Sequence, residues 1–288
     1  MPSDARDPVS IVLVTYQSAG DLPAFFDSLP AASSAPIETV VVDNASRDDS
    51  VDLARRGGAK VIENADNLGL SAGLNRGVAE TSTDWVLLVN PDAELAPESI
   101  DRLVEAGTSD DRIAVVGPRI LGTDGAEYPT GRRFPSVLGG GLHALLGVVW
   151  PNNPATRRYH MMDVDRTARR NCDWVSGSCM MVRRTAFDQV GGFDSSYFMY
   201  FEEVDFCLRL QRKGWLVTLE PRATITHAIG GSTKSAPYRK VINHHRSALR
   251  FYRRQYSRDL RIVLIPAVAA LLIVRAALSV IRIRLART

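Results

Sequence analysis

The sequence predicts an α/β protein built on a mostly parallel, doubly wound sheet with helices on both faces, followed by a helical C-terminal segment that meets a membrane. Three observations predict it. Short β-branched runs alternate with helix-like segments through the first half. Those runs are apolar throughout rather than at every second residue, as strands covered on both faces require. A twenty-residue run near the end carries a single charge.

Taken in order, residues 10–15 (SIVLVT) form the first such run and residues 22–29 the helix after it. Residues 38–42 (ETVVV) are a second strand, DNASRDD a turn-rich connection, and residues 50–56 a second helix. A short strand at 60–63, a helix at 71–80 and a strand at 84–89 (DWVLLV) complete the regular half. Joining strands through helices sets the strands parallel, because each helix carries the chain back along the sheet. The second half is less periodic. It reads as a helix at 99–106, a strand at 113–118, a long loop at 124–141 and a strand at 174–182 that re-enters the core. A helix at 204–213 and two strands at 215–219 and 223–227 come next.

Ligands of such sheets bind beyond the carboxyl ends of the strands, and the polar residues gather there: Thr15-Tyr16, Asp43-Asn44, Asn64 with Asn67, and Asn90-Pro91-Asp92. Turn and capping chemistry explains any one of these. Four on one edge mark a pocket rim. Gly69, Gly73 and Gly77 recur every four residues, and neither GxGxxG nor GxxxxGK[ST] occurs, so neither an NAD fingerprint nor a P-loop is supported. That spacing gives a helix one bare face, which reads as packing at Gly77 and close ligand approach at Gly69. Glu202, Glu203 and Asp205 come just after the apolar stretch YFMYF. Acids are favoured in the first turn of a helix by its dipole, yet three together beside apolar residues also repel one another and desolvate, which raises a carboxyl pKa toward a base's working range.

The 288 residues, 45% hydrophobic and 23% charged, exclude a disordered or collagenous chain. The three cysteines form no CxxC pair and point away from a disulfide framework, toward a reducing compartment. The net charge of +3 conceals an uneven distribution: residues 207–288 hold 17 Lys+Arg and 2 Asp+Glu, the remainder 18 and 30. A basic tail on an acidic body faces an anionic surface, and residues 262–281 decide for lipid over nucleic acid. That run is long enough to span about 30 Å of hydrocarbon, but Pro266 and Arg275 interrupt it and arginines flank both ends. A helix lying in the interface is therefore expected, with a helix packed on the protein's own core or on a second subunit as the alternative. The polar N-terminus MPSDARDP reads as no signal peptide, which places the body on the cytoplasmic face of the cell membrane.

The motifs VTYQS, VVDNASRDDS, NLGLSAGLNRGV, VNPDAEL, WVSGSCMMVRR, GGFDSSYFMYFEEVDFCLRLQRKGW and ITHAIGGST, in this order over about residues 9–250, resemble family 2 inverting glycosyltransferases of the Rossmann-like GT-A fold. More closely, they resemble the bacterial cell-wall rhamnosyltransferases that act on polyprenyl-diphospho-N-acetylglucosamine. The resemblance implies a nucleotide-diphosphate sugar donor, dTDP-rhamnose for this group, with galactofuranose or glucose donors among relatives, and a polyprenyl-diphosphate-linked acceptor. It implies that Thr15, Tyr16 and Asp43 line the base and ribose pocket, and that Asn67, Gly69 and Asn75 run along ribose and diphosphate. The family's DxD falls on Asn90-Pro91-Asp92, so an asparagine replaces the first acid. Asp92 is then the expected ligand of Mg²⁺ or Mn²⁺, with Glu94 second and His227 completing the site. Trp174, Ser176 and Gly177 would floor the acceptor site. The base corresponds to Glu203, with Glu202 and Asp205 as neighbours. Residues 1–255 are the expected catalytic domain and 256–288 the membrane-associated helix; a non-catalytic relative that kept the fold is the other reading, and the oligomeric state stays open.

Overall fold

The computed structural model describes residues 7–136, 150, 152–228 and 237–285. The sheet runs β3(Lys60–Glu63), β2(Ile37–Asp43), β1(Val9–Thr15), β4(Trp85–Val89), β9(Cys179–Arg183), β6(Ile113–Leu121), β10(Leu216–His227) and β5(Ala93–Leu95), with β7(Glu127–Tyr128) on β6 and β8(Arg170–Cys172) on β10. β3, β2, β1 and β4 pair in parallel, as the strand–helix alternation requires. β9 enters antiparallel between β4 and β6, and β10 then pairs with β6 in parallel. Six strands thus point the same way, and their carboxyl ends share one edge with the start of β9.

The pattern of β1 explains the two layers. Val9, Ile11 and Leu13 enter one core cluster, with Phe25, Leu29, Ile100 and Leu103 of α1(Leu22–Ala32) and α4(Ser99–Thr108). Val12 enters the other, with Leu74 and Val78 of α3(Leu70–Ala79), Phe206 and Phe251. A side-chain period of two divides a fully apolar strand between both faces. α2(Ser50–Arg56) lies between β2 and β3 in sequence, and α5(Pro154–Tyr159) and α6(Arg184–Val190) flank β8 and β9. A Cβ on Gly77 would lie 2.3 Å from Val12 Cγ1, so the bare face of α3 serves packing on β1, as expected.

Several boundaries differ from the sequence reading. Of the expected 174–182 run only residues from 179 onward pair as a strand, which continues to Arg183; Trp174 makes an isolated bridge to Arg132. The two expected strands at 215–219 and 223–227 are one, β10, with a bulge between Glu220 and Thr224. The expected loop at 124–141 contains β7, and its end at 137–141 lies outside the described residues.

The basic tail folds as α8(Pro237–Gln255), a 3-10 turn at Leu260–Leu264 and α9(Ile265–Leu285). Pro266 does not break the helix as its place in the run suggested: it is the second residue of α9, where a missing N–H leaves no bond unmade. Ile265, Val268 and Leu272 are buried on the body, whereas Ile273 is 70% exposed and Val274, Leu278 and Ile281 are about half exposed. One stripe of α9 therefore packs on the protein, as the second of the two expectations had it, and the opposite apolar face is bare. Arg275, half-buried, lies within electrostatic reach of Tyr159, Tyr252 and His244 instead of the bare face.

Candidate active site

A cavity of about 300 Å³ opens at the carboxyl edge of the sheet. Tyr16, Asn67 and Gly69 line one side, Asn90, Asp92 and His227 the middle, and Ser176, Gly177, Glu202 and Glu203 the far side. A larger cleft of about 890 Å³ lies at the opposite edge, among Asp7, Asp84, Glu98, Arg102 and Arg183. It touches none of the strand-end amides, and open sheets of this kind bind ligands at their carboxyl edge.

The middle of the cavity is built by strand ends. Asn90 comes directly after β4, Asp92 precedes β5, and His227 ends β10, whose register sets it opposite Ala93. His227 Nε2 lies 3.0 Å from Asp92 Oδ1 and 3.2 Å from Asn90 Nδ2. In the tautomer whose Nε2 accepts from Asn90, Asp92 Oδ1 is left buried with no hydrogen-bond donor. Nε2, once a cation replaces its contact with Asn90, and the unsatisfied carboxylate oxygen beside it fit a divalent cation whose remaining ligands come from phosphate or water. No group of three His, Cys, Asp or Glu that could hold a metal occurs among the described residues. Glu94 is exposed on β5 and does not line the cavity.

The far side is built by a strained turn. Tyr200 (φ 70°) and Phe201 (φ 67°) are consecutive left-handed residues without being glycine, a conformation that persists only when surrounding contacts enforce it. Those contacts come from two directions, the start of α3 and α8. Gly69 N-caps α3 at φ 85°, and a Cβ there would sit 2.5 Å from the Phe198 carbonyl, so the loop docks on it. Leu70 N donates to that same carbonyl at 2.8 Å. From α8, Ser247 Oγ donates to Met199 O at 2.9 Å and the His244 ring packs against Tyr200 and Phe201.

The turn delivers Glu202 and Glu203 as the first residues of α7(Glu202–Gln211). Glu202 is 4% exposed, and the Oε2 of each glutamate lacks a partner. Burial, then repulsion from Glu203, holds the Glu202 carboxyl well above the usual carboxylate range. Burial also raises Glu203, but backbone N–H groups at the helix start and the Arg132 guanidinium oppose the rise. The two carboxyls therefore titrate as an interacting pair, both held above the usual carboxylate range chiefly by burial. Tyr200, against both, is pushed up to about 12 by burial and by their charges. Gly177 abuts Glu203, whose Cβ would be 3.4 Å from a Cβ placed there.

Several expected contacts lie elsewhere. Thr15 is fully buried and donates to Asp43 Oδ1 at 2.8 Å; Asp43 is 2% exposed and also accepts from Ser46 N and Oγ. Both sit beneath the rim rather than in its lining, because Asp43 is spent on the turn after β2. Asn75 is occupied by Phe193 N, Phe193 O and Ser195 Oγ, and holds the loop after α6. Trp174 is core: it donates to Arg133 O at 3.0 Å and stacks beneath Arg132. Asp205 faces away, fully buried and paired with Arg209 Nε at 2.7 Å and Arg254 Nε at 3.2 Å, because it is two residues beyond Glu203, about 200° round the helix, on the side that packs against α8. That pairing removes Asp205 from the candidate bases. The lining also includes Asn44, expected on the rim, and residues that sequence reasoning missed, chiefly Tyr128 and Lys240. Lys240 is the one lysine or arginine of the lining among the described residues; it arrives from α8, and only its membership of a basic tail could have marked it.

The glycosyl transferase family 2 model matches residues 10–191, and a second model, glycosyl transferase family group 2, matches residues 152–286. The chain belongs to glycosyltransferase family 2. Among relatives, the N-acetylglucosaminyl-diphospho-decaprenol L-rhamnosyltransferase of Mycobacterium tuberculosis is 37% identical over 264 residues, 87% of this chain and 86% of that protein. The low-salt glycan biosynthesis hexosyltransferase Agl10 of Haloferax volcanii is 31% identical over 72% of this chain and 62% of its own length. In fold, the chain is similar to the mannosyltransferase PcManGT of Pyrobaculum calidifontis, solved with GDP-Man and Mn²⁺, at a TM-score of 0.58 and 15% identity over 97% of this chain and 77% of that one. TarS of S. aureus solved with UDP matches at a TM-score of 0.55 and 16% identity, over 92% and 70%. The family 2 chain is thus a GT-A enzyme of the hexosyltransferase class.

Proposed function

We propose that this glycosyltransferase moves L-rhamnose, with inversion, from dTDP-rhamnose to a polyprenyl-diphosphate-linked N-acetylglucosamine at the cytoplasmic face of the membrane. The observation that carries the reading is the cavity's two facing acidic walls, Asp92 with His227 and Glu202 with Glu203, in a chain 37% identical to a rhamnosyltransferase named for that acceptor. Tyr16, half exposed at the rim, offers an aromatic face to the donor base. Asn67 and Gly69 lie next along the donor, and Asn90, which keeps an amide where the family has an acid, orients His227.

Asp92 Oδ1 and His227 Nε2 would hold Mg²⁺ or Mn²⁺, which supplies Lewis-acid neutralisation of the leaving diphosphate. Lys240 adds a positive charge on the same cavity, offsetting what Asn90 no longer contributes to metal binding. Glu203 takes the proton from the acceptor hydroxyl as it attacks sugar carbon one from the face opposite the diphosphate. Ser176 and Gly177, beside Glu203, form the floor on which that hydroxyl is placed. α9, with one apolar face bare, seats the enzyme in the leaflet where a lipid-linked acceptor resides. Residues 1–255 form the catalytic domain and 256–288 the attachment.

Incubating the protein with Mg²⁺ or Mn²⁺, a panel of nucleotide sugars and lipid-linked N-acetylglucosamine, then weighing products, tests this. A deoxyhexose increment from dTDP-rhamnose alone is expected. A galactofuranose or glucose increment reassigns the donor, and donor binding with neither transfer nor hydrolysis makes the chain a non-catalytic relative. Truncation after Asp259 should release the protein from membranes; unchanged sedimentation would remove α9 from that role.

A further inference from the structure

Where α8 ends and the apolar turn begins, a groove of about 760 Å³ lies between α7, the end of α8 and residues 256–261. Arg209, Arg212, Arg254, Arg258 and Arg261 line it, with Asp259 the acid in its wall. Three of these charges are committed: Arg209 and Arg254 to Asp205, Arg254 also to Asp194, and Arg261 to Asp259. Arg212 and Arg258 are exposed and have no carboxylate partner among the described residues; Arg212 donates to the Gln255 carbonyl at 3.0 Å. Nor can the surrounding tail provide one. Its two acids are Glu220 and Asp259, and Glu220 is held by Arg169 and Arg222.

Two further observations give the groove a ligand. Arg209 Nη2 is buried in its wall with no acceptor, and a buried guanidinium N–H without an acceptor is costly unless a bound group supplies one. Directly beyond the groove, Leu260 is 89% and Val263 75% exposed. Uncommitted positive charge next to bare aliphatic side chains matches a molecule that is anionic at one end and aliphatic at the other.

We propose that this groove seats the phosphate of an anionic phospholipid headgroup, with Arg212 and Arg258 opposing its charge, Arg209 Nη2 donating to a phosphate oxygen, and the acyl chains running along Leu260 and Val263. It rests on the reading of α9 as a membrane-seated helix. The groove lies on the far side of α7 from the catalytic cavity and shares none of its lining, so the lipid is a structural partner and not the acceptor.

The test measures co-sedimentation of the full chain with phosphatidylcholine vesicles, with and without about 30 mol % phosphatidylglycerol. The wild type should bind the anionic vesicles about tenfold more tightly. Arg212→Gln/Arg258→Gln should remove most of that preference, whereas Arg239→Gln/Arg246→Gln, an equal loss of charge from exposed positions on α8, should reduce it by about threefold or less. Transfer to a short-chain soluble acceptor should be unchanged in both. Arg258→Glu, which leaves Arg212 and its bond in place, repeats the test should the double variant fold poorly. Equal losses in the two double variants would mean diffuse attraction and overturn the site. Millimolar inorganic phosphate displacing the protein from vesicles at constant ionic strength would make it a free-anion site and likewise overturn it. Equal binding of the wild type to both vesicles sinks the groove but leaves membrane attachment standing; binding to neither sinks both.

Discussion

The two acidic walls of the cavity are made by opposite means. Asp92 stands at a strand end, held in place by sheet register, with His227 Nε2 3.0 Å away as a second ligand atom for a cation. Glu202 and Glu203 stand at a helix start behind two left-handed residues, with no cation bonded to either Oε2. The first wall is arranged to share a positive charge and the second to be short of one. A carboxylate with a cationic partner stays ionised and suits binding; a desolvated one has its proton affinity raised and suits proton transfer. Each role thus has its own place on one fold: charge-binding groups on rigid strand termini, a base on a turn whose strain is carried by neighbours.

Removing one carboxylate from each wall puts that contrast under the greatest load. Glu203→Gln should lower transfer by about a thousandfold while leaving nucleotide-sugar affinity near wild type. Asp92→Ala should lower transfer by a similar factor but weaken donor binding as well, and shift half-activation to higher Mn²⁺. Measured by isothermal titration beside steady-state kinetics, equal effects on donor affinity would erase the distinction between the walls.

Lys240→Met should cost roughly ten- to a hundredfold in kcat/KM for the donor, the range of a charged hydrogen bond, with Lys240→Arg recovering part of it. A loss confined to the acceptor's KM would move Lys240 from the donor side to the acceptor side.

A subtler change separates the two glutamates. Because burial raises both, the acid limb of the rate profile should lie above pH 4.5, the ordinary glutamate value. With Glu203 as the base, Glu202→Gln should retain turnover and an acid limb above that value; a loss of turnover as large as that of Glu203→Gln would make Glu202 the base. Stability carries the matching sign. A raised carboxyl pKa lends stability at low pH that is lost as pH climbs through the raised value, so Glu202→Gln should gain nothing in Tm near pH 4 and progressively more above it. About 2–4 °C accompanies each kcal/mol recovered in a domain of this size.

How much of this was legible differs between the walls for the same reason. The strand-end residues announced themselves, because β-branched runs end at fixed places and the residues just beyond parallel strands must lie on one edge. Asn90 and Asp92 were placed on that edge accordingly, whereas His227 came only from the family resemblance, and β10, which carries it, was read as two strands. Near Glu203 the residues themselves offered three acids, and only the family resemblance favoured Glu203 among them. The choice needed the helix phase that turns Asp205 toward Arg209 and Arg254, contacts of 4 and 49 residues' separation. Asp43 was misplaced because an aspartate before a turn reads alike whether its oxygens are free or given to Ser46. Lys240 was invisible because nothing local distinguishes it from the other cations of its tail.

The amino-acid order alone was enough for the parallel half-sheet, the edge on which polar residues collect, and a C-terminal run too apolar to be left wholly in water, each from side-chain period, length and composition, which are local properties; the family came from the resemblance of an ordered set of motifs. Packing in three dimensions settled which of those polar residues reach open space, which arginine answers which acid, and that α8 reaches into the cavity at one end while α9 keeps one face for the body. These depend on distances between segments far apart in the chain, set only when both faces of the sheet are packed.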